Sequence, residues 1–198
     1  MRLLRQQCHI GGKWCAADSG KTVDVADPGK GEVLGTVPNM GRVETARAIE
    51  AAERALPAWR SRTAGDRARI LRRLFDLMVA NQDHLAELLS REQGKPFAEA
   101  RGEIAYAASY VEWFAEEGKR ACGEVVPAHA VDRRIVTLKQ GIGVVGAITP
   151  WNFPSALVTR TPFPERLAHF WANHFAVSID KTPLAALAGA FEVEAIRP

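Results

Sequence analysis

The chain has 198 residues, enough for one substantial core or for one domain and a piece of another. Hydrophobic residues make up 47% and charged residues 25%, the ordinary balance of a globular protein and not that of a disordered chain by default. The net charge of +3 comes from 26 basic and 23 acidic residues mixed along the sequence without a basic block, which argues against nucleic-acid or membrane-surface binding.

The opening "MRLLRQQCHIGGKW" lacks the apolar core of a signal peptide, and no later run reaches the ~20 apolar residues needed to span a bilayer. The three cysteines, Cys8, Cys15 and Cys122, have no C-x-x-C spacing and no paired histidines nearby. They read as reduced thiols of a cytoplasmic protein rather than as a zinc site.

Residues 9–40 are strand-like and broken by turn chemistry: "GGKW", "DSGK", "DPGKGE" and "VPNMG". They predict a small antiparallel β layer. Three helices follow in the prediction. The first, over 42–60, carries Ala46, Ile49, Ala52 and Leu56 at helical spacing, with Pro57 disturbing its last turn. The second opens on the capping-box-like Thr63 to Asp66 and runs from Ile70, Leu71, Leu74, Phe75 and Met78 on to Leu85, Leu88 and Leu89. The third, over 99–120, sets Ile104, Ala108, Val111 and Phe114 or Ala115 on one face, after a break at Gly94-Lys95-Pro96. Being amphipathic, each helix is expected to cover a sheet. Beyond Gly123 the period changes. "RRIVTLKQ" predicts a half-buried strand, and "GIGVVGAI" a parallel strand buried on both faces, so the fold class is α/β.

Gly141, Gly143 and Gly146 match G-x-G-x-x-G, the phosphate-cradling fingerprint of dinucleotide-binding folds. That turn needs a helix to open at the glycines, and here Ala-Ile-Thr-Pro follows, with Pro150 barring one. The glycines therefore read as strand glycines that permit close packing. The loop after them, "TPWNFP" at 149–154, lies at the carboxyl end of the predicted strand, where open α/β sheets hold ligands. Asn152 is its one amide side chain. It can donate to a developing oxyanion, or it can simply tie the loop together.

"GAITPWNFP", together with "EQGKPFAEARGEI", "YVEWFAEEGKR" and "IGGKW", resembles the aldehyde dehydrogenase superfamily, most of all bacterial succinate-semialdehyde dehydrogenases, from about residue 7 to Arg160. The resemblance implies the N-terminal portion of a Rossmann-type domain and oxidation of a small-molecule aldehyde to an acid with NAD or NADP through a cysteine thiohemiacetal. It implies that Ile148, Thr149, Pro150, Trp151 and Asn152 lie along the cofactor and that Asn152 donates to the oxyanion. It further implies that Arg160 holds a substrate carboxylate, a task suited to a bidentate guanidinium; without the resemblance, Arg160 reads as a surface arginine. The family's subunits associate near "RRIVTLKQ", which implies a homo-oligomer or association with a full-length homologue.

After Arg160 the pattern departs from the family. Pro162 and Pro164 would break the helix expected after Pro154. The nucleophilic cysteine, the glutamate base and the ribose-binding lysine of the family find no counterpart. Cys122, in "KRACGE", has no base at a recognisable spacing and reads as a small packed residue. "ERLAHFWANHFAVS" predicts an amphipathic helix and Thr182-Pro183 the start of another. His169 and His174, five apart, do not share a face as metal ligands would. Residues 163–198 resemble a fragment of an uncharacterised bacterial helical family. The expectation is a truncated dehydrogenase domain over 1–160 and an unrelated helical tail over 161–198, as from a fused or frameshifted reading frame. Such a chain is expected to be inactive alone, the alternative being a non-enzymatic association module.

Overall fold

A computed structural model gives the structure of the protein and describes residues 3–149 and 151–155. Pro150, Arg160 and the expected breaks and helices of the 161–198 segment, with His169 and His174, lie outside the described residues.

Two hairpins lead the chain. Strands β1 (Cys8–Ile10) and β2 (Lys13–Cys15) pair antiparallel, with Cys8 opposite Cys15 and His9 opposite Trp14. The link between them is Gly11-Gly12, at φ +58° and +81°. A two-residue turn with both φ values positive matches the twist of the flanking strands, and glycine adopts it without steric cost. Strands β3 (Thr22–Ala26) and β4 (Val33–Pro38) form the second hairpin, with a bulge at Val25/Ala26. Its loop is organised by Asp27, whose Oδ1 accepts from the Gly29 and Lys30 amides at 2.8 and 3.2 Å. The expected β layer is thus two separate two-stranded sheets.

Four helices follow where three were expected: α1 (Arg42–Arg60), α2 (Ala64–Ala80), α3 (Gln82–Gln93) and α4 (Phe97–Glu117). The second predicted helix is cut at Asn81, whose φ of −112° and ψ of 17° leave the helical region. Its side-chain amide donates to the Leu77 carbonyl at 2.9 Å, using the local side-chain bonding by which asparagine competes with helix continuation. The start of α2 is as read: the Asp66 amide donates to Thr63 Oγ1 at 3.1 Å and the Thr63 amide to Asp66 Oδ2 at 3.3 Å. Helix α1 runs through Pro57 to Arg60, and its buried positions are Glu44, Ala48, Ala52 and Trp59, so Ala46 and Ile49 face solvent instead of the core.

The helices bury their apolar faces mainly on one another. Leu71, Leu74 and Met78 of α2, Leu85, Leu88 and Leu89 of α3, and Ile104, Ala108, Val111, Phe114 and Ala115 of α4 form one core. The predicted α4 face is the observed one. Its alanines at 100, 107 and 108 let neighbouring backbones approach closely, so this core is helix on helix rather than helix on sheet.

After α4, strands β5 (Glu124–Val126) and β6 (Ile135–Thr137) pair antiparallel, and all six residues are exposed. "RRIVTLKQ" therefore does hold a strand, but an exposed one. "GIGVVGAI" is extended and irregular, without strand pairing. A parallel strand is stabilised by neighbours on both edges and cover on both faces, and none of the described strands lies beside it.

Candidate functional site

The glycine match forms no phosphate turn. Gly143 has φ +129°, no helix opens at the glycines, and a side chain added at Gly143 or Gly146 would meet open space. The close packing expected of strand glycines is also missing among the described residues. The stretch is anchored through its backbone, with Arg60 Nη2 donating to the Gly141 carbonyl at 2.7 Å.

The structured element is the loop that follows. Trp151 and Asn152 sit in a turn, and a helical turn opens at Pro154. Pro154 and Ser155 are buried, while Trp151, Asn152 and Phe153 are exposed. Three side chains, from the end of α3, the α3–α4 junction and the body of α4, hold this turn. Gln93 Nε2, from the last turn of α3, donates to the Trp151 carbonyl. Lys95 Nζ donates to the Asn152 carbonyl at 2.9 Å and lies 4.4 Å from the centre of the Phe153 ring. Glu103 of α4 accepts from the Ser155 amide at 3.0 Å through Oε1 and from Lys95 Nζ at 2.5 Å through Oε2. The Glu103 side chain is 2% exposed and that of Lys95 13%, so the pair works largely out of water.

Local chemistry explains why these groups meet. Gly94 ends α3 in the left-handed conformation, φ +75°, with its amide donating to the Ser90 carbonyl at 2.8 Å. Ser90 Oγ donates to the Lys95 carbonyl at 2.6 Å. The chain thereby reverses within Gly94-Lys95-Pro96 and sends Lys95 toward the loop.

The structure places the predicted site residues in two groups. Trp151 and Asn152 belong to the held turn, Thr149 lies two residues before it, and Ile148 projects fully into solvent, at 101% exposure. Pro150 and Arg160 lie outside the described residues. The Asn152 side chain makes no hydrogen bond among the described residues, because the loop is held by its carbonyls. Sequence reasoning quoted "EQGKPFAEARGEI" and assigned no role to Gln93, Lys95 or Glu103. Their contacts span 52 to 58 residues of sequence, and the only available signal was two charged residues and an amide recurring within one recognisable motif.

No hydrogen bond joins a thiol to this turn among the described residues. Burial, and next the neighbouring Cys15, push the Cys8 thiol up, away from the reactive thiolate. Cys15 Sγ donates to the Lys13 carbonyl at 3.6 Å, and Cys122 is exposed. No cluster of metal-ligating side chains occurs among the described residues, and no described helix is long and apolar enough to cross a membrane.

Comparison with known proteins decides the family. The model of the aldehyde dehydrogenase family matches residues 14–168. The chain belongs to that family. It is 55% identical over 187 residues to the glutarate-semialdehyde dehydrogenase of Pseudomonas putida, and 53% identical over 186 residues to the NADP(+) succinate-semialdehyde dehydrogenase of Escherichia coli. Each match covers 94% of this chain and 38% of the relative, so the chain spans well under half the length of these dehydrogenases. A solved NADP-dependent enzyme of Escherichia coli superposes with a TM-score of 0.88 at 51% identity, over 100% of this chain and 41% of that one. The fold is that of the N-terminal portion of an aldehyde dehydrogenase, with mixed helices and small sheets. The family match runs past Arg160, the point at which the sequence pattern changes.

Proposed function

We propose that this chain carries one wall of the active site of an NAD(P)-dependent semialdehyde dehydrogenase and, as a 198-residue polypeptide, does not turn over aldehyde by itself. The observation that carries the reading is the turn at 151–155: its backbone is held by Gln93, Lys95 and Glu103, while the exposed Asn152 has no side-chain hydrogen bond among the described residues. An amide held in place before reaction is what stabilisation of a developing oxyanion requires, since no reorganisation is then needed at the transition state.

Ile148, Thr149, Pro150 and Trp151 form the proposed cofactor-facing edge. Exposed apolar surface at Ile148 and Trp151 fits a flat aromatic ring, while the neighbouring glycines offer no phosphate cradle, so these residues fit one side of a dinucleotide and leave the pyrophosphate to others. When bound, the nicotinamide supplies the hydride acceptor. Asn152 orients and stabilises the carbonyl oxygen of the aldehyde, and Arg160 pairs with the distal carboxylate of a short semialdehyde acid. Semialdehyde chemistry is supported by the kinship to glutarate- and succinate-semialdehyde dehydrogenases.

Covalent aldehyde oxidation needs a thiolate with a base, and the chain's three cysteines offer neither a shared site with Asn152 nor a described hydrogen bond to a carboxylate or imidazole. Thermal-shift titration with NAD and NADP tests the cofactor edge: a saturable shift that is lost in Trp151→Ala is expected, and no shift at millimolar nucleotide removes it.

A second reading, an association module, is favoured by one observation. The β5–β6 hairpin and the glycine stretch expose a run of apolar residues, among them Val125 at 75%, Leu138 at 74% and Ile142 at 68%. Light scattering after size exclusion decides it, a monodisperse monomer counting against association.

A further inference from the structure

The ion pair of Lys95 and Glu103 joins three separate stretches of chain: the α3–α4 junction, the body of α4 and the turn at 151–155. Glu103 is the pivot. One of its oxygens takes the Lys95 ammonium and the other takes the Ser155 amide. Lys95 divides its donors between Glu103 and the Asn152 carbonyl and sets its charge against the Phe153 ring. Gln93 completes the set at the Trp151 carbonyl. Positions 151, 152, 153 and 155 of the loop are thus fixed through backbone atoms or a ring face, and the Asn152 side-chain amide has no hydrogen-bond partner among the described residues. Solvation of surface charge does not explain the arrangement, because both charged side chains are withdrawn from water.

We propose that Gln93, Lys95 and Glu103 are positioning residues: together they set where the turn at 151–155 presents the Asn152 amide. The importance of that placement for chemistry rests on the function proposed above; the placement itself does not. Charge-assisted hydrogen bonds in a dry setting are the strong ones, so this clamp dominates the local order of the turn.

Amide hydrogen exchange followed by NMR on the isotope-labelled 198-residue chain tests the clamp. The Ser155 amide is expected to be protected, and its exchange to accelerate roughly tenfold or more in Glu103→Ala and Lys95→Met, with the Leu85 and Val111 core amides unchanged. Lys95→Arg, which keeps the charge and the donors, is expected to restore protection to within about twofold of wild type. The Asn152 side-chain amide resonance should move in Lys95→Met and return in Lys95→Arg. Should the charge variants fail to fold, Gln93→Leu leaves the ion pair intact and is expected to raise Ser155 exchange about threefold. An unprotected Ser155 in the wild-type chain, an unchanged Ser155 in Lys95→Met and Gln93→Leu, or core amides accelerating in parallel with Ser155 would overturn the proposal. No nucleotide enters these readouts. A chain that binds no nucleotide removes the proposed role of the turn and leaves the clamp, whereas loss of the clamp leaves the nucleotide titration standing on its own.

Discussion

Beside the clamp, Glu92 occupies the last turn of α3, half-buried, with Oε1 shut away from water and without a hydrogen-bond partner among the described residues. Burial pushes its carboxyl from the ordinary 4.5 up to about 8. The folded chain therefore keeps a proton that the unfolded chain releases, and stability is fullest below about 4.5 and falls as pH rises toward 8. Glu92→Gln should flatten that slope and gain on the order of 2 kcal/mol at the alkaline end, read from urea unfolding across the pH range. A wild-type chain whose stability rises over this window would contradict the assignment. Sequence alone gave Glu92 no such character, because its surroundings are set by how α3 ends and not by its neighbours in the chain. The turn at Trp151-Asn152, in contrast, was legible, because prolines and aromatics around a single amide suit a loop.

Among elements, the helices were legible where periodicity, caps and buried faces agreed. Helix α4 kept its predicted face, and the Thr63 cap formed as read. The division of the second helix at Asn81 was missed because the apolar pattern continues in phase across it, and only a local side-chain bond ends the helix there. The parallel strand was misplaced for a different reason: a run such as "GIGVVGAI" becomes a strand through partners, and a single stretch does not reveal whether they are present. Gly94 offers an element-level test. Its φ of +75° suits glycine, and an added Cβ would come within 3.0 Å of Pro28 Cγ, so Gly94→Ala should cost ~1–2 kcal/mol. Because the same turn aims Lys95, that variant should also accelerate Ser155 exchange, whereas Thr63→Ala should cost ~1 kcal/mol and leave Ser155 alone.

At the scale of the whole molecule, a helical core carries a loop whose exposed residues face outward, beside a hairpin and an extended segment that leave apolar side chains in water. Such a surface is expected to self-associate, and Val125→Lys with Leu138→Lys should shift the mass measured by light scattering toward monomer without lowering the unfolding midpoint. Composition conveyed that the chain folds, and the motifs conveyed its family; neither conveyed that the described sheets would stay two-stranded. The function proposed above gives the chain an oxyanion-side turn and no cysteine placed to use it. Mixing the purified chain with NAD or NADP and either succinate or glutarate semialdehyde, and following the absorbance of reduced nicotinamide, tests this most directly. No reduced nucleotide above a protein-free control is expected, and reduction that disappears in Cys122→Ser or Asn152→Ala would contradict the proposed function.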